Sequence, residues 1–185
     1  METIPQFETE RLILRAPTEQ DIPAWQKYFA DFGIIGHLNK NVPWPYPADG
    51  AAQFFYEKVA PVQGKDEWIW GLFLKPNPDE AIGLVHLRRN GELHGHRGFW
   101  LARKYWGRGL MTEAVARVMD YAFGELGFES MILCNAFGNT RSRRVKEKTG
   151  AIFIRVEPAE FNDPQYTQRE VWELTKERWQ MFRDG

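Results

Sequence analysis

One cysteine in 185 residues leaves no partner for an internal disulfide, so a hydrophobic core has to hold the fold. Charge of one sign is equally scarce: 24 Lys and Arg stand against 25 Asp and Glu, a net charge of −1 with histidine neutral. That balance excludes the basic footprint of a nucleic-acid-binding surface. The acidic residues are too dispersed to line a groove for a polyamine. No segment approaches about 18 uninterrupted apolar residues, and Met1–Glu10 has no apolar signal core. No membrane partner is therefore expected, and the expected compartment is the cytoplasm. Internal repeats and low-complexity tracts are absent. Two nucleotide-binding signatures are missing too. No Gly-x-x-x-x-Gly-Lys-Ser/Thr run occurs, and the third glycine of a dinucleotide fingerprint is replaced by Thr112, with no early βαβ unit before it.

What is present starts with length. A chain of this size buries roughly 70% of its unfolded surface, which predicts one domain over residues 1–185, a monomer or a homodimer. The most informative run is Arg103-Lys-Tyr-Trp-Gly-Arg-Gly-Leu-Met-Thr-Glu-Ala114, followed by an amphipathic helical pattern through Leu126. Gly107 and Gly109 lack Cβ, so the backbone there can turn sharply and approach a ligand with successive N–H groups outward. The helix start adds unpaired N–H groups and the positive end of its dipole. Arg103, Lys104 and Arg108 add positive charge, and a di- or triphosphorylated cofactor is the natural occupant. Cys134 sits in the apolar run from Met131 and reads as a buried strand residue, with no Cys–His signal for a nucleophile. The 8 Trp, 13 Phe and 6 Tyr read mostly as core.

Punctuation along the chain fits alternating strands and helices. Arg11 to Arg15 alternates as a strand does, and Thr18-Glu-Gln-Asp21 predicts a cap for a helix through Phe29. Gly33 to Pro47 reads as loop and Ala48 to Val59 as helix. Glu67 to Lys75 and Ala81 to Arg89 read as a hairpin around the turn Pro76-Asn-Pro-Asp79. Asn90-Gly91 gives the strongest hairpin signal, leading to a strand over Arg97 to Ala102. Then follow a strand at Met131 to Asn135, a helix from Thr140 to Gly150, strands at Ile152 to Val156 and Gln168 to Leu174, and a short terminal helix.

Within this frame, Tyr105-Trp-Gly-Arg-Gly-Leu-Met-Thr-Glu-Ala114 resembles the acyl-CoA pyrophosphate loop of the GNAT N-acetyltransferase superfamily. Its usual form is Gln/Arg-x-x-Gly-x-Gly/Ala, and Lys104 to Gly109 matches except that lysine opens the motif. The flanks, with the block Asn139-Thr-Arg-Ser142 through Glu147-Lys-Thr-Gly150, are similar to the ribosomal-protein N-terminal (Rim-type) branch. The match extends from Arg11 to Trp179. It implies an α/β domain with a mixed, largely antiparallel sheet, flanking helices and a splayed strand pair holding acetyl-CoA. It also implies backbone contacts from Trp100, Leu101 and Ala102 to the pantetheine arm. The pyrophosphate would rest on amides of Lys104, Tyr105, Trp106, Gly107, Arg108, Gly109 and Met111. Asn139 would hydrogen-bond the pantetheine or cap the following helix, a role asparagine favours by itself. Arg143 and Arg144 would reach the 3′-phosphate of CoA or face solvent.

Acetyl transfer from a thioester to an amine needs a neutral amine, an oxyanion stabiliser and a proton for the leaving thiolate. In many relatives a tyrosine stands at the position of Lys146 as the acid. Resemblance to the Rim-type branch implies Ser142 instead, close to the sulfur, with small-residue packing as its competing role. His96 stands where family members often carry a glutamate base, and an imidazole titrates near neutrality. Its other reading is a polar strand-end residue of His94-Gly-His-Arg. Glu157 and Glu160 are alternative bases, and His86 reads as a strand residue in the same groove. His94 and His96 have no third ligand at suitable spacing, so no metal is expected. Trp44, Tyr46, Phe54 and Phe55 lie in or after the irregular segment that covers the acceptor side in this family, and are expected to wall the acceptor pocket. The implied activity is transfer to a primary amine, an α-amine of a peptide terminus or an amino-acid-like molecule. The alternative is a non-catalytic acyl-CoA sensor or interaction module.

Overall fold

Strands β3 (Glu67–Leu74) and β4 (Asn77–Arg88) are apolar on both faces over most of their length, and a sheet with two apolar faces must be covered twice. In the computed structural model, which describes residues 4–185, it is. The first three residues of the Met1–Glu10 segment lie outside the described residues. Trp68, Trp70, Leu72, Val85 and Leu87 join a core with helix α4 (Leu110–Gly124). Ile69, Phe73, Ala81 and Leu84 join a second core beneath α1 (Ile22–Phe29), α2 (Phe32–Ile35) and α3 (Gly50–Phe54), through Trp25, Ile34 and Ala51. Helix α4 buries Leu110, Met111, Ala114, Val115, Val118, Met119, Ala122 and Phe123 at three- and four-residue spacing. Each large apolar side chain among them contributes roughly 1.5–3 kcal/mol.

The first sheet has the order β1-β2-β3-β4-β5, with β1 at Phe7–Glu8, β2 at Leu12–Arg15 and β5 at Arg97–Leu101, every pair antiparallel. The second has the order β6-β8-β7, at Ser130–Ala136, Gln168–Thr175 and Ile152–Pro158. Helix α5 (Thr140–Glu147) lies between β6 and β7, and α6 (Lys176–Asp184) follows β8. The expected mixed sheet is thus two antiparallel sheets that meet between β5 and β6. The meeting is narrow. His96 N–H donates to Ile132 O at 2.8 Å, and Ile132 N–H donates to His96 Nδ1 at 2.9 Å. Among the described residues, no backbone ladder joins β5 to β6 beyond that point.

Four local expectations change. The chain reverses at Lys75-Pro76, and Asn77–Glu80 extends β4 through a register shift opposite Leu72 to Leu74, so Pro76–Asp79 is not the turn. The β4–β5 connection spans 89–96, and Gly91 does not take the positive φ that a tight Asn-Gly turn requires. Gly95 does, at φ 76, and a Cβ there would also meet Ile132 O at 2.9 Å, so both the backbone conformation and the space call for glycine. The expected loop Gly33–Pro47 begins inside α2, which Asp31 caps by accepting from Gly33 N–H at 2.8 Å. The helix expected over Ala48–Val59 runs from Gly50 to Phe54 and continues as a wider turn over Phe55–Val59. The predicted cap near Thr18 forms: Asp21 accepts Thr18 N–H at 2.7 Å and pairs with Arg15 at 2.9 Å.

The junction makes a measurable demand. His96→Ala leaves Ile132 N–H without its acceptor and is expected to lower the unfolding free energy in denaturant titration by about 1–3 kcal/mol. A change within about 0.5 kcal/mol, the level of an ordinary surface substitution, would remove His96 from this role.

Candidate active site

Beyond the His96–Ile132 junction the two strands border a cleft of about 710 Å³, with the loop after β5 at one end and α5 along one side. Ligand sites span this range. On β5 the edge facing the cleft is set by pairing parity. Arg88 N–H donates to His96 O and Ala102 N–H donates to Ile82 O, and antiparallel bonded pairs recur every second residue. Even-numbered positions on this strand therefore face β4, and Arg97, Phe99 and Leu101 present their N–H and C=O groups to the cleft. Of the three backbone contacts expected at Trp100, Leu101 and Ala102, only Leu101 has this orientation. Trp100 and Ala102 are engaged with β4, and Phe99 is the residue the sequence reading missed. The carbonyl of Leu101 also accepts from Trp106 Nε1 at 2.7 Å, which fixes the indole beside the loop.

The loop divides its amides in the same way. Tyr105 N–H donates to Ala102 O at 2.9 Å and Trp106 N–H to Arg103 O at 3.1 Å, closing a tight turn, so neither amide serves an anion. Gly107 and Gly109 both take φ 75. Glu113 N–H is the first in α4 to reach a helical acceptor, Gly109 O at 3.0 Å. The amides of Leu110, Met111 and Thr112 are thus unpaired donors at a 15-residue helix's N-terminus, beside the two glycines.

The charged side chains of this loop point elsewhere. Arg103 is paired with Asp31, and a Cβ on Gly33 would collide with its guanidinium. Lys104 Nζ lies 4.7 Å from the Tyr28 ring centroid, and Arg108 lies 5.7 Å from that of Tyr105. The cations that line the cleft are Arg88, Arg97, Arg141, Arg144, Lys148 and Arg169, with Arg141 stacked 3.9 Å over Trp106. Arg143 is held by Glu147 at 2.8 Å and Glu170 at 3.2 Å, so of the pair proposed for the 3′-phosphate only Arg144 faces the cleft. Only α5's helical phase separates these neighbours, which the sequence pattern did not resolve.

Asn139 begins α5 as its cap, its side-chain oxygen accepting from Ser142 N–H at 3.3 Å, and it lines the cleft as well. Ser142 lines the cleft one turn further. Its Oγ accepts from Lys146 Nζ at 3.1 Å, although Lys146 is only 1% exposed. Arg97, at 4% exposure, is the other buried cation here, and neither of its terminal guanidinium nitrogens finds a partner among the described residues. Burial pushes Arg97 down to about 9, which leaves it cationic at neutral pH. Burial and the adjacent Arg97 charge push Lys146 down to about 7.

His96 is not on the cleft. Its Nδ1 is engaged by Ile132, its ring packs on Phe128, and burial lowers its pKa, so it acts as a strand link. Glu157 is bonded to Arg155 and Arg169 and also lies outside the cleft. His86 is buried on β4 against Glu67 and Arg88. Glu160 and His94 line the cleft, as does His37, which the sequence reading passed over. His37 bonds Gly33 O and Tyr166 Oη, each at 3.1 Å. The four aromatics expected at the acceptor wall pack elsewhere. Trp44 packs tilted against Phe32, Tyr46 edge-on against Phe29 and Phe54 tilted against Trp25, while Phe55 is buried in the second core. The far end of the cleft is lined instead by Leu38, Leu93 and Phe161 with Glu92 and Glu160. Among the described residues no three His, Cys, Asp or Glu side chains gather as a metal-ligand set, and no helix is long and apolar enough to cross a membrane.

An open strand edge runs from the helix-terminal amides past a lysine–serine pair, a layout with room for a long ligand. The chain belongs to the GNAT acetyltransferases: residues 11–152 match the family described as "Acetyltransferase (GNAT) domain", whose members use acetyl-CoA. It is 40% identical over 67 residues to the "Putative ribosomal N-acetyltransferase YdaF" of Bacillus subtilis (strain 168), a match spanning 36% of this chain and 34% of that protein. The ribosomal-protein-S5-alanine acetyltransferase from Vibrio fischeri shares the fold at TM-score 0.77 and 18% identity, over 95% of this chain and 99% of that one. So does the microcin C7 self immunity acetyltransferase MccE, solved with acetyl-CoA and AMP, at TM-score 0.73 and 13% identity over 90% and 93%.

Two outcomes test this geometry. Gly109→Val forces a β-branched residue into the left-handed region, at a cost of about 1–3 kcal/mol, and is expected to weaken acetyl-CoA binding more than tenfold in calorimetry of the folded variant. Unchanged affinity would sever the loop from the ligand. Lys146 has a lower pKa folded than its ordinary 10.5, so the unfolded chain binds more protons between about 7 and 10.5. Its contribution to stability therefore rises with pH across that window. Lys146→Met should flatten the rise in denaturant midpoint, and an unchanged slope would contradict the lysine's titration there.

Proposed function

We propose that the protein transfers the acetyl group of acetyl-CoA directly to an α-amine, at a peptide or protein terminus or on an amino-acid-like molecule, with both substrates bound together. The observation that carries this reading is the continuity of the cleft from the amide nest at Gly107–Thr112, along β5, to the apolar and acidic end at Leu93, Glu160 and Phe161. One space of that length supports a ternary complex. Cys134 borders the same space, but burial pushes its thiol up, which disfavours a covalent acetyl-enzyme.

In this reading the unpaired amides at the start of α4 hold the pyrophosphate, and Arg144 and Lys148 meet further phosphate charge. Phe99 and Leu101 bond the pantetheine arm as an added strand would, with Asn139 opposite. A β5 amide facing the cleft stabilises the tetrahedral oxyanion, and Ser142 Oγ–H supplies the proton for the departing thiolate. The acceptor class follows from what the cleft offers as bases. Burial lowers the pKa of both His37 and His94, so neither is a strong base. Presenting a lysine side chain in neutral form costs about 3.5 kcal/mol more than presenting an α-amine at the same pH. Weak bases suit the α-amine. A ribosomal N-acetyltransferase and a ribosomal-protein-S5-alanine acetyltransferase among the similar proteins are consistent with a protein acceptor.

The test is a pair of matched peptides, one with a free terminus and blocked lysines, the other reversed, with the acetyl group mapped by mass spectrometry. Labelling of the free-terminus peptide is expected. Preferential labelling of lysine overturns the choice of acceptor.

A further inference from the structure

Lys146 is a costly side chain to bury, at 1% exposure. A lysine this deeply buried is ordinarily paired with a carboxylate, and a methionine of similar length would fill the same volume without the cost of desolvating an ammonium. The carboxylate that faces it is engaged elsewhere: Glu170 on β8 accepts from Asn135 at 3.0 Å, Trp172 Nε1 at 3.1 Å and Arg143 at 3.2 Å. The groups facing Lys146 are Arg97 from β5, Cys134 from β6, Glu170 from β8, and Ser142 on its own helix, with the Phe99 ring 6.0 Å from Nζ. Its hydrogen-bond partner is Ser142 Oγ, at 3.1 Å, and Ser142 is the member of the pair that reaches the cleft. The ammonium is thus held behind the hydroxyl and touches the cleft only through it.

We propose that Lys146 is the proton reservoir for Ser142: Nζ–H hands a proton to Ser142 Oγ as Ser142 gives its own to the departing CoA sulfur. The step rests on the reading that acetyl transfer takes place in this cleft. The acceptor nitrogen forms the new C–N bond, the C–S bond breaks with its electron pair going to sulfur, and the Ser142 proton completes the thiol. Lys146 then stands neutral and recovers a proton from solvent, balancing the one the acceptor nitrogen loses to solvent. Arg97 makes this workable: its fixed charge keeps the ammonium from being held too tightly to give up its proton. A permanently charged lysine would hold Ser142 in place and nothing more.

Because Lys146 acts through Ser142 it is a positioning and proton-supplying residue, and its test has to separate those roles from packing. Lys146→Met and Lys146→Gln, the second keeping a donor without a titrating proton, are compared with the parent at saturating acetyl-CoA and the free-terminus peptide. The expected parent profile is a kcat that falls as pH rises through the neutral region, where Lys146 loses its proton. Both variants should lose about 100-fold in kcat below that limb, a typical general-acid contribution, and lose the limb itself. KM for acetyl-CoA should stay within about twofold. Retention of the limb, or a KM rise with kcat preserved, overturns the proposal.

A second arm needs no acceptor. The thiolate absorbance of bound CoA is titrated in the parent and in Lys146→Met. A thiol that ionises at lower pH in the parent supports the lysine, and identical titrations overturn it. If the parent fails to acetylate the peptide yet shows the shifted thiol, the acceptor reading falls and the role of Lys146 stands.

Discussion

An unmet buried amide costs about 1–3 kcal/mol, so two strands that lie side by side normally bond along their whole length. In this protein β5 and β6 bond at His96 and Ile132 and then stop. Everything in the site follows from that interruption. It leaves the odd-numbered backbone groups of β5 facing open space, and it lets the chain after β5 turn across the end of the gap, where α4 begins. The gap persists because each sheet is separately anchored. The first is clamped between two hydrophobic cores, and the second packs Met131, Leu133, Trp172 and Leu174 into the core that α4 occupies. An exposed strand edge is a liability in most folds. Here it is the surface on which a ligand can add itself as a strand.

Part of this was legible in residue order. The glycine pair and the amphipathic pattern after it marked the turn and the start of α4, and alternation placed most strands correctly, because both signals are local. Pairing parity on β5 was not legible, since it depends on which residue of β4 lies opposite. That is why the backbone groups of Trp100 and Ala102 were expected to face the cleft, where those of Phe99 do. The charges misled for a related reason: Arg103 and Lys104 are close to the glycines in sequence, while their partners Asp31 and Tyr28 reach them only in the folded chain. His96 looked like a base because it is a histidine near the strand, yet its ring nitrogen serves as a backbone acceptor in the sheet junction. His37, far away in sequence, came to the cleft with no motif to announce it.

The electrostatics divide by depth. Near the surface, charges are met by opposite charges, as with Arg11 and Glu113 or Arg143 and Glu147. At the root of the cleft two cations, Arg97 and Lys146, lie buried and mutually repulsive, without a carboxylate bonded to either among the described residues. Folding tolerates this only because the surrounding cores supply a surplus.

The alternation along β5 also sets the kinds of change this chain can absorb. Apart from that of Arg97, its side chains can be exchanged one for another, because each replacement leaves the parity of the strand intact. A single residue added or removed between Arg97 and Leu101 would do something different in kind. Every amide now turned to the cleft would rotate toward β4, and Arg97 would leave the face it shares with Lys146. Substitution is therefore open to this strand while a one-residue change in length is closed, so divergence here should proceed at constant spacing, with length variation displaced into the 89–96 connection.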